Sequence, residues 1–295
     1  MTKTIDPHTH PQFDSLLKWA IAPRPICFAS TVNKSGKVNL SPFSYFNLMS
    51  HRPPICVFSP LRRMRDGSTK HTLENIAEVP EVVINIVNYA MVYQQSLAST
   101  EYPREVDEFA KSGFTPLASE LITPPRVSES PVQLECRVRQ VIELSEVPGA
   151  GNLVLAEVMR MHVHDALLDE EGQMDQAALD LVARLGGNWY CRVTVANLFE
   201  VAKPLRNRGM GVDQLPQHIR LSPVLTGNHL GQLGNVDRLP SEDEVDVLRG
   251  DPEIREMLDA FIGDKATLQI HLHRKAAALL DDGEVVKAWR TLLLI

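Results

Sequence analysis

The sequence is short of aromatics, of positive charge and of long apolar runs. Phe, Trp and Tyr make up only 6% of its 295 residues, so broad stacking surfaces are scarce. Lys and Arg number 30 against 37 Asp and Glu, a formal net charge of −7. That balance carries no basic footprint for nucleic acid, and an anionic membrane surface repels it. No stretch approaches the ~18 consecutive apolar residues of a membrane span. The opening Met1-Thr2-Lys3-Thr4-Ile5-Asp6 lacks the apolar core of a secretory signal, so a cytoplasmic protein is expected. Cysteine is sparse too. Cys27, Cys56, Cys136 and Cys191 lie far apart with no Cys-x-x-Cys, which reads as reduced thiols, three of them packed in apolar strands.

Several catalytic signatures are also missing. There is no Gly-x-Ser-x-Gly and no recognisable cysteine nucleophile motif. Gly-x-Gly-x-x-Gly and the Walker pattern are absent, so no Rossmann domain or P-loop holds a nucleotide. Gly149-Ala150-Gly151 falls in a hairpin turn instead. Three His-x-His pairs are present: His8/His10, His162/His164 and His271/His273. Asp6-Pro7-His8-Thr9-His10 superficially resembles the metal-binding start of amidohydrolase barrels. Only five residues precede it, and the middle of the chain lacks strand–helix alternation. A metal-dependent hydrolase built on His8 and His10 is therefore the outside alternative, and no metal site is expected. His162/His164 reads as a strand face and His271/His273 as an exposed helix.

What is present is an ordinary globular composition, 44% hydrophobic and 23% charged, which excludes a disordered chain, a collagen-like repeat or a long coiled coil. Strands are expected over residues 26–33, 55–59 and 81–88, with a turn at Gly36 and a strand or extended loop over 38–46. Residues 132–144 and 153–163 alternate apolar and polar, the period of a half-buried antiparallel hairpin. Residues 189–195 read as a last strand. A helix is expected from Thr72 as N-cap, and two helical pieces over 91–112, broken at Pro103. Residues 207–240, rich in Gly, Pro, Asn and Gln, read as loop. Ser241-Glu-Asp-Glu244 is a capping box, and Asp251-Pro252 is an N-cap with Pro at the first helical position. Helices are also expected over 265–281 and 284–294. Strands first and helices last imply a mainly β, α+β protein: an antiparallel barrel with a C-terminal helical extension.

Residues 62–72 form a local basic patch on an acidic chain. Arg65, Ser68, Thr69, Lys70 and Thr72 stand directly before a helix start, which reads either as a solvated loop with a capped helix or as the set that a phosphate monoester wants. Ser41, Ser44 and Asn47 are interleaved with Phe43, Tyr45 and Phe46, with Thr31 on the neighbouring strand, a pattern that barrel core and turn hydrogen bonds also explain.

These segments occur in a telling order. Arg24-Pro-Ile-Cys-Phe-Ala-Ser-Thr31, then Asn39-Leu-Ser-Pro-Phe-Ser-Tyr-Phe-Asn47, then Pro53-Pro-Ile-Cys-Val-Phe-Ser59, Lys70-His-Thr-Leu-Glu-Asn-Ile76 and Val83-Ile-Asn85 resemble the flavin reductase-like family. Leu134-Glu-Cys136 and Gly186-Gly-Asn-Trp-Tyr190 are weaker echoes. The resemblance covers about residues 20–200. It departs at His71, where the family commonly has Asp; a neutral or basic residue there still suits a phosphate.

The resemblance implies an antiparallel split β-barrel with flanking helices, binding FMN. The implied cofactor residues are Thr31, Ser41, Ser44, Tyr45, Phe46, Asn47, Ser59, Arg65, Ser68, Thr69, Lys70, His71 and Thr72. It implies an NAD(P)H:flavin reductase passing hydride from nicotinamide C4 to flavin N5, with no dedicated general acid or base. NADH and NADPH both remain open as donor. It also implies a homodimer, with a flavin-using monooxygenase as downstream partner. The alternative is an FMN-dependent oxidase or oxygenase acting on a small organic substrate. The expected organisation is an N-terminal arm over 1–19, the FMN-binding barrel over 20–205, and a loop and helical extension over 206–295.

Overall fold

A computed structural model describes residues 1–204 and 208–295. The chain divides into two compact units, Met1–Leu198 and Phe199–Ile295. The expected boundary between residues 205 and 206 falls outside the described residues.

The N-terminal unit opens with α1 (Phe13–Ala20) and then builds β1 (Cys27–Val32), β2 (Val38–Phe43), β3 (Phe46–His51) and β4 (Pro54–Phe58). Helix α2 (His71–Glu78) leads into β5 (Glu81–Ile86), followed by α3 (Val92–Leu97) and α4 (Glu108–Ser112). Two-residue strands β6 (Pro116–Leu117) and β7 (Arg126–Val127) precede the long hairpin of β8 (Val132–Glu143) and β9 (Asn152–Val163). Strands β10 (Val182–Arg184) and β11 (Tyr190–Arg192) close the unit as a separate ribbon. Seven strands form one antiparallel sheet in the order β2-β1-β5-β8-β9-β4-β3.

The connectivity forces this sheet to curl. Its two edge strands, β2 and β3, are joined only by Ser44 and Tyr45. Three Cα steps of about 3.8 Å cannot hold the ends of a flat seven-stranded sheet. The edges meet without pairing, which is a split barrel. Cys27 and Ala29 of β1 point into the barrel core with Phe58, Ile84, Cys136 and Ala156. Phe28, one residue on, faces the other way and packs against Met91, Val92, Phe109 and Phe114 of the helical cover. With both faces covered, all six β1 residues are buried, Ser30 and Thr31 included. Gly36 sits at φ +80 in the β1–β2 turn, a conformation few other residues tolerate.

The C-terminal unit is all helical. It comprises α5 (Gln217–Arg220), α6 (Gly227–Gly234), α7 (Glu242–Arg249), α8 (Pro252–Ala260), α9 (Lys265–Asp281) and α10 (Val285–Leu292). Helix α9 serves two clusters: Leu268 and Leu272 pack with Val245 and Ile254, while Ala276 and Leu280 pack with Leu233 and Trp289. The indole of Trp289 donates to the Leu233 carbonyl at 3.1 Å.

The structure corrects several local expectations. Residues 38–46 split into β2 and β3 around the Ser44–Tyr45 corner, and β3 continues to His51. Residues 189–195 supply only the three-residue β11, paired with β10. Residues 207–240 hold α5 and α6; the glycines of α6 masked it, and the Thr226–His229 capping box starts it. Thr72 is not the N-cap of α2: Lys70 is, and no side chain caps that helix. His273 is not exposed but fully buried, its Nδ1 2.7 Å from the Ser222 hydroxyl. His8 lies in an exposed turn and His10, half-buried, just after it, and no group of three metal-ligating side chains exists among the described residues. No helix among them is long and apolar enough to cross a membrane.

Candidate functional site

A polar cleft lies where β2, the start of α2 and the chain following α3 converge. Asn39, Ser41, Arg63, Lys70, His71 and Thr72 line one side, and the 98–102 segment with Glu108 lines the other. A shallower groove continues from it along Leu61–Arg65, again with Lys70 and Glu101.

Lys70 sits at the centre. Its ammonium lies 5.9 Å from the Phe43 ring centroid and has no carboxylate partner among the described residues. Burial pushes its pKa below the usual lysine value, with Glu101 opposing and Arg63 adding to the shift. Arg63 is largely covered. It donates to the Thr69 carbonyl and to the Ser68 hydroxyl (3.1 Å), which ties the loop around Lys70. Its Nε stands 3.7 Å from Glu101, whose other oxygen is 3.3 Å from Arg65. The first turn of α2 opens on the same place with no side-chain cap, so its orphan N–H groups add to a positive field. Helices α1, α3, α5 and α10 lack a side-chain cap as well, whereas α4, α6, α7, α8 and α9 have one.

Neighbouring polar groups hold this frame. The Asn39 amide donates to the Thr72 hydroxyl at 2.9 Å. Glu108 is buried, accepts from the Leu40 N–H at 3.3 Å, and burial raises its pKa. Burial also lowers the pKa of His71.

Of the expected residues, the cleft gathers Ser41, Lys70, His71 and Thr72, and the adjoining groove takes Arg65. Arg65 is exposed and neutralised by Asp66 and Glu101. The Ser68 hydroxyl donates to Asp66 at 2.6 Å, and the Thr69 hydroxyl donates to Glu74 at 3.2 Å, so both serve the loop. Thr31 is fully buried inside the barrel wall, its hydroxyl accepting from Asn75 at 3.2 Å. Ser59 is buried too and accepts from the Asn152 N–H at 3.1 Å. Both are buried, and neither lines the cleft. Ser44 and Tyr45 form the corner at the split, with the Arg24 guanidinium 5.8 Å from the Tyr45 ring centroid. Phe46 packs on the barrel core, and the Asn47 side chain accepts from its neighbour Leu48.

Sequence reasoning missed Asn39, Glu101, Tyr102 and Glu108, which share the cleft only through tertiary folding. Arg63 was visible within the basic patch, but nothing local set it above Arg65.

The family model for the flavin reductase like domain matches residues 20–178. An uncharacterised protein of Halalkalibacterium halodurans is 36% identical over 177 residues, 59% of this chain and 84% of that one. Nitrilotriacetate monooxygenase component B from Bacillus cereus superposes with TM-score 0.63 at 30% identity, over 68% of this chain and 99% of that one. A 2-nitrobenzoate 2-nitroreductase from Pseudomonas fluorescens gives TM-score 0.62 at 27% identity, over 71% and 100%. The flavoredoxin of Desulfovibrio vulgaris, at 20% identity and TM-score 0.54 over 70% and 98%, shares the fold.

Proposed function

The chain belongs to the flavin reductase-like family, and from that premise we propose that it is an FMN-dependent oxidoreductase whose electron donor is NADH or NADPH. The observation that carries the reading is Lys70: a half-buried ammonium without a carboxylate partner, beside Arg63 and an uncapped helix start. Such a cluster suits the phosphate of FMN, because burial of a cation is costly unless an anion compensates it.

Lys70 and Arg63 would hold the phosphate, helped by the N–H groups opening α2. Asn39, Ser41 and Thr72 offer neutral polar atoms next to them, suited to the ribityl hydroxyls. The Ser44–Tyr45 corner offers backbone groups and an aromatic face at the split for the ring. Flavin, when bound, supplies the capacity to accept a hydride at N5 and pass electrons on. The chain's part is to orient the ring, exclude water from one face and place donors where negative charge develops. No side chain is asked to act as general acid or base.

Two further features belong to this reading. The protein works as a homodimer: Leu48 and Met49 lie exposed on edge strand β3, an apolar surface that a second copy would cover. Its reduced flavin serves a separate monooxygenase component, a role supported by the likeness to a monooxygenase component B. A second reading, direct action on an organic substrate, is favoured by the likeness to a 2-nitrobenzoate 2-nitroreductase.

The deciding experiment mixes the protein with FMN and either nicotinamide anaerobically. Bleaching of the visible flavin bands is expected with at least one donor, and bands that persist with both overturn the reductase. Turnover of an organic substrate by the isolated protein would select the second reading.

A further inference from the structure

A second cleft in the N-terminal unit stands apart from the phosphate cluster, between α3 and the β10–β11 ribbon. A cavity of about 360 Å³ is bounded by Tyr89, Val92, Tyr93, Arg184, Tyr190 and Arg192. Its aromatic content is high for a chain so poor in aromatics. Each arginine stacks on a tyrosine: the Arg192 guanidinium carbon lies 3.8 Å from the Tyr89 ring centroid, and that of Arg184 lies 4.6 Å from Tyr190.

The two arginines differ in what they have left to bind. Arg192 donates through Nε and Nη2 to both oxygens of Asp180, at 2.6 and 2.9 Å, and is neutralised. Asp180 itself is held at φ +49, a strained backbone for a non-glycine residue. Arg184 donates only through Nη2, to the Gly187 carbonyl at 2.8 Å, and has no carboxylate partner among the described residues. The cleft therefore offers one free guanidinium edge and, in Tyr93, one tyrosine ring that no arginine covers.

We propose that this cleft binds a planar aromatic monocarboxylate. A guanidinium presents a flat fork of donors that matches a carboxylate in two parallel hydrogen bonds. The uncovered Tyr93 ring can stack a planar ring by an offset or edge contact. One free cation suits one negative charge; a diphosphate would need the second arginine, which Asp180 already occupies. Exposed Tyr93, at 82%, is free to fold over a bound ring. The proposal does not rest on flavin binding.

The cleft carries its own reporter. Cys191 lines it, and is the one of the four cysteines that is not buried. The full chain, with and without FMN, is labelled with a thiol-reactive disulfide while benzoate, benzamide or cyclohexanecarboxylate is titrated. Benzoate is expected to slow labelling of Cys191 saturably, and the other two to do so far less. Arg184→Gln should raise the half-protecting benzoate concentration about tenfold or more, the loss of a charge-assisted contact. Tyr93→Ala, at an exposed position, should weaken protection without touching the fold. Equal labelling with and without benzoate overturns the proposal. So does equal protection by benzamide, or protection undiminished in Arg184→Gln. Should Arg184→Gln fail to fold, Tyr93→Ala and the comparison of benzoate with benzamide decide alone.

Discussion

A lysine held against an aromatic ring and away from bulk water keeps its proton at a cost. Lys70 is in that position, with its pKa lowered chiefly by burial. Lys70→Ala is expected to weaken FMN by about 1.5–3 kcal/mol, roughly ten- to a hundredfold, and riboflavin hardly at all. Fluorescence titration with both ligands checks this; equal losses would remove Lys70 from the phosphate. The pH dependence has a definite sign. Binding through the ammonium persists while Lys70 is protonated and is lost as pH rises through its lowered pKa, so the FMN-over-riboflavin preference should fade below the usual lysine range. Glu101 pulls the other way. Its carboxylate stands near both Arg63 and Arg65, the place a phosphate would contest. Glu101→Gln is therefore expected to tighten FMN severalfold and leave riboflavin unchanged, in the same titration. The sequence displays Lys70 and the other cations as a cluster, but not which of them is spent on an internal partner. Arg65 is, and Lys70 is not.

At the scale of elements, the hairpin of β8 and β9 and the capped helices α7 and α8 are legible because each states its period and its boundaries locally. Ser241 accepts from the Glu244 N–H while the Glu244 carboxylate accepts from the Ser241 N–H, and Arg238 and that backbone bond hold the Glu244 carboxyl down to about 2. Edge strand β3 was harder to read, since its apolar Leu48 and Met49 face outward. Helix α6 was harder too, since three glycines hide its period. The barrel stands on interior packing. Phe58, fully buried and 5.5 Å from the Phe43 ring, should cost about 3–5 kcal/mol when cut to alanine. Because Phe43 ends β2 just before the Ser44–Tyr45 corner, the same substitution should loosen the split and weaken flavin binding. Urea denaturation and a flavin titration on one preparation read both effects.

At the scale of the molecule, the C-terminal unit has a stability of its own to be measured. His273 is buried, and desolvation together with the nearby His218 lowers its pKa from 6.5. The folded unit therefore favours the neutral imidazole. That contribution is present in full above about pH 6.5 and is lost as pH falls through the lowered value. Trp289, the buried tryptophan of this unit, should show an unfolding midpoint that drops below pH 6.5. A midpoint that does not move between pH 7 and 5 would contradict it.

By itself, the sequence determined the strand-rich first two-thirds, the helical last third, the split-barrel family and the basic patch before α2. These are local properties: residue period, caps, turn residues and the order of short motifs. Tertiary structure alone decided which polar residues face a cleft. Thr31 and Ser59 carry the right chemistry, yet the fold buries both away from the cleft. Asn39, Glu101 and Glu108 converge on Lys70 from distant segments. The physical reason is that a polar side chain can meet a ligand only where the packing of the fold leaves it at a cleft. That choice is made by contacts between segments far apart in the chain.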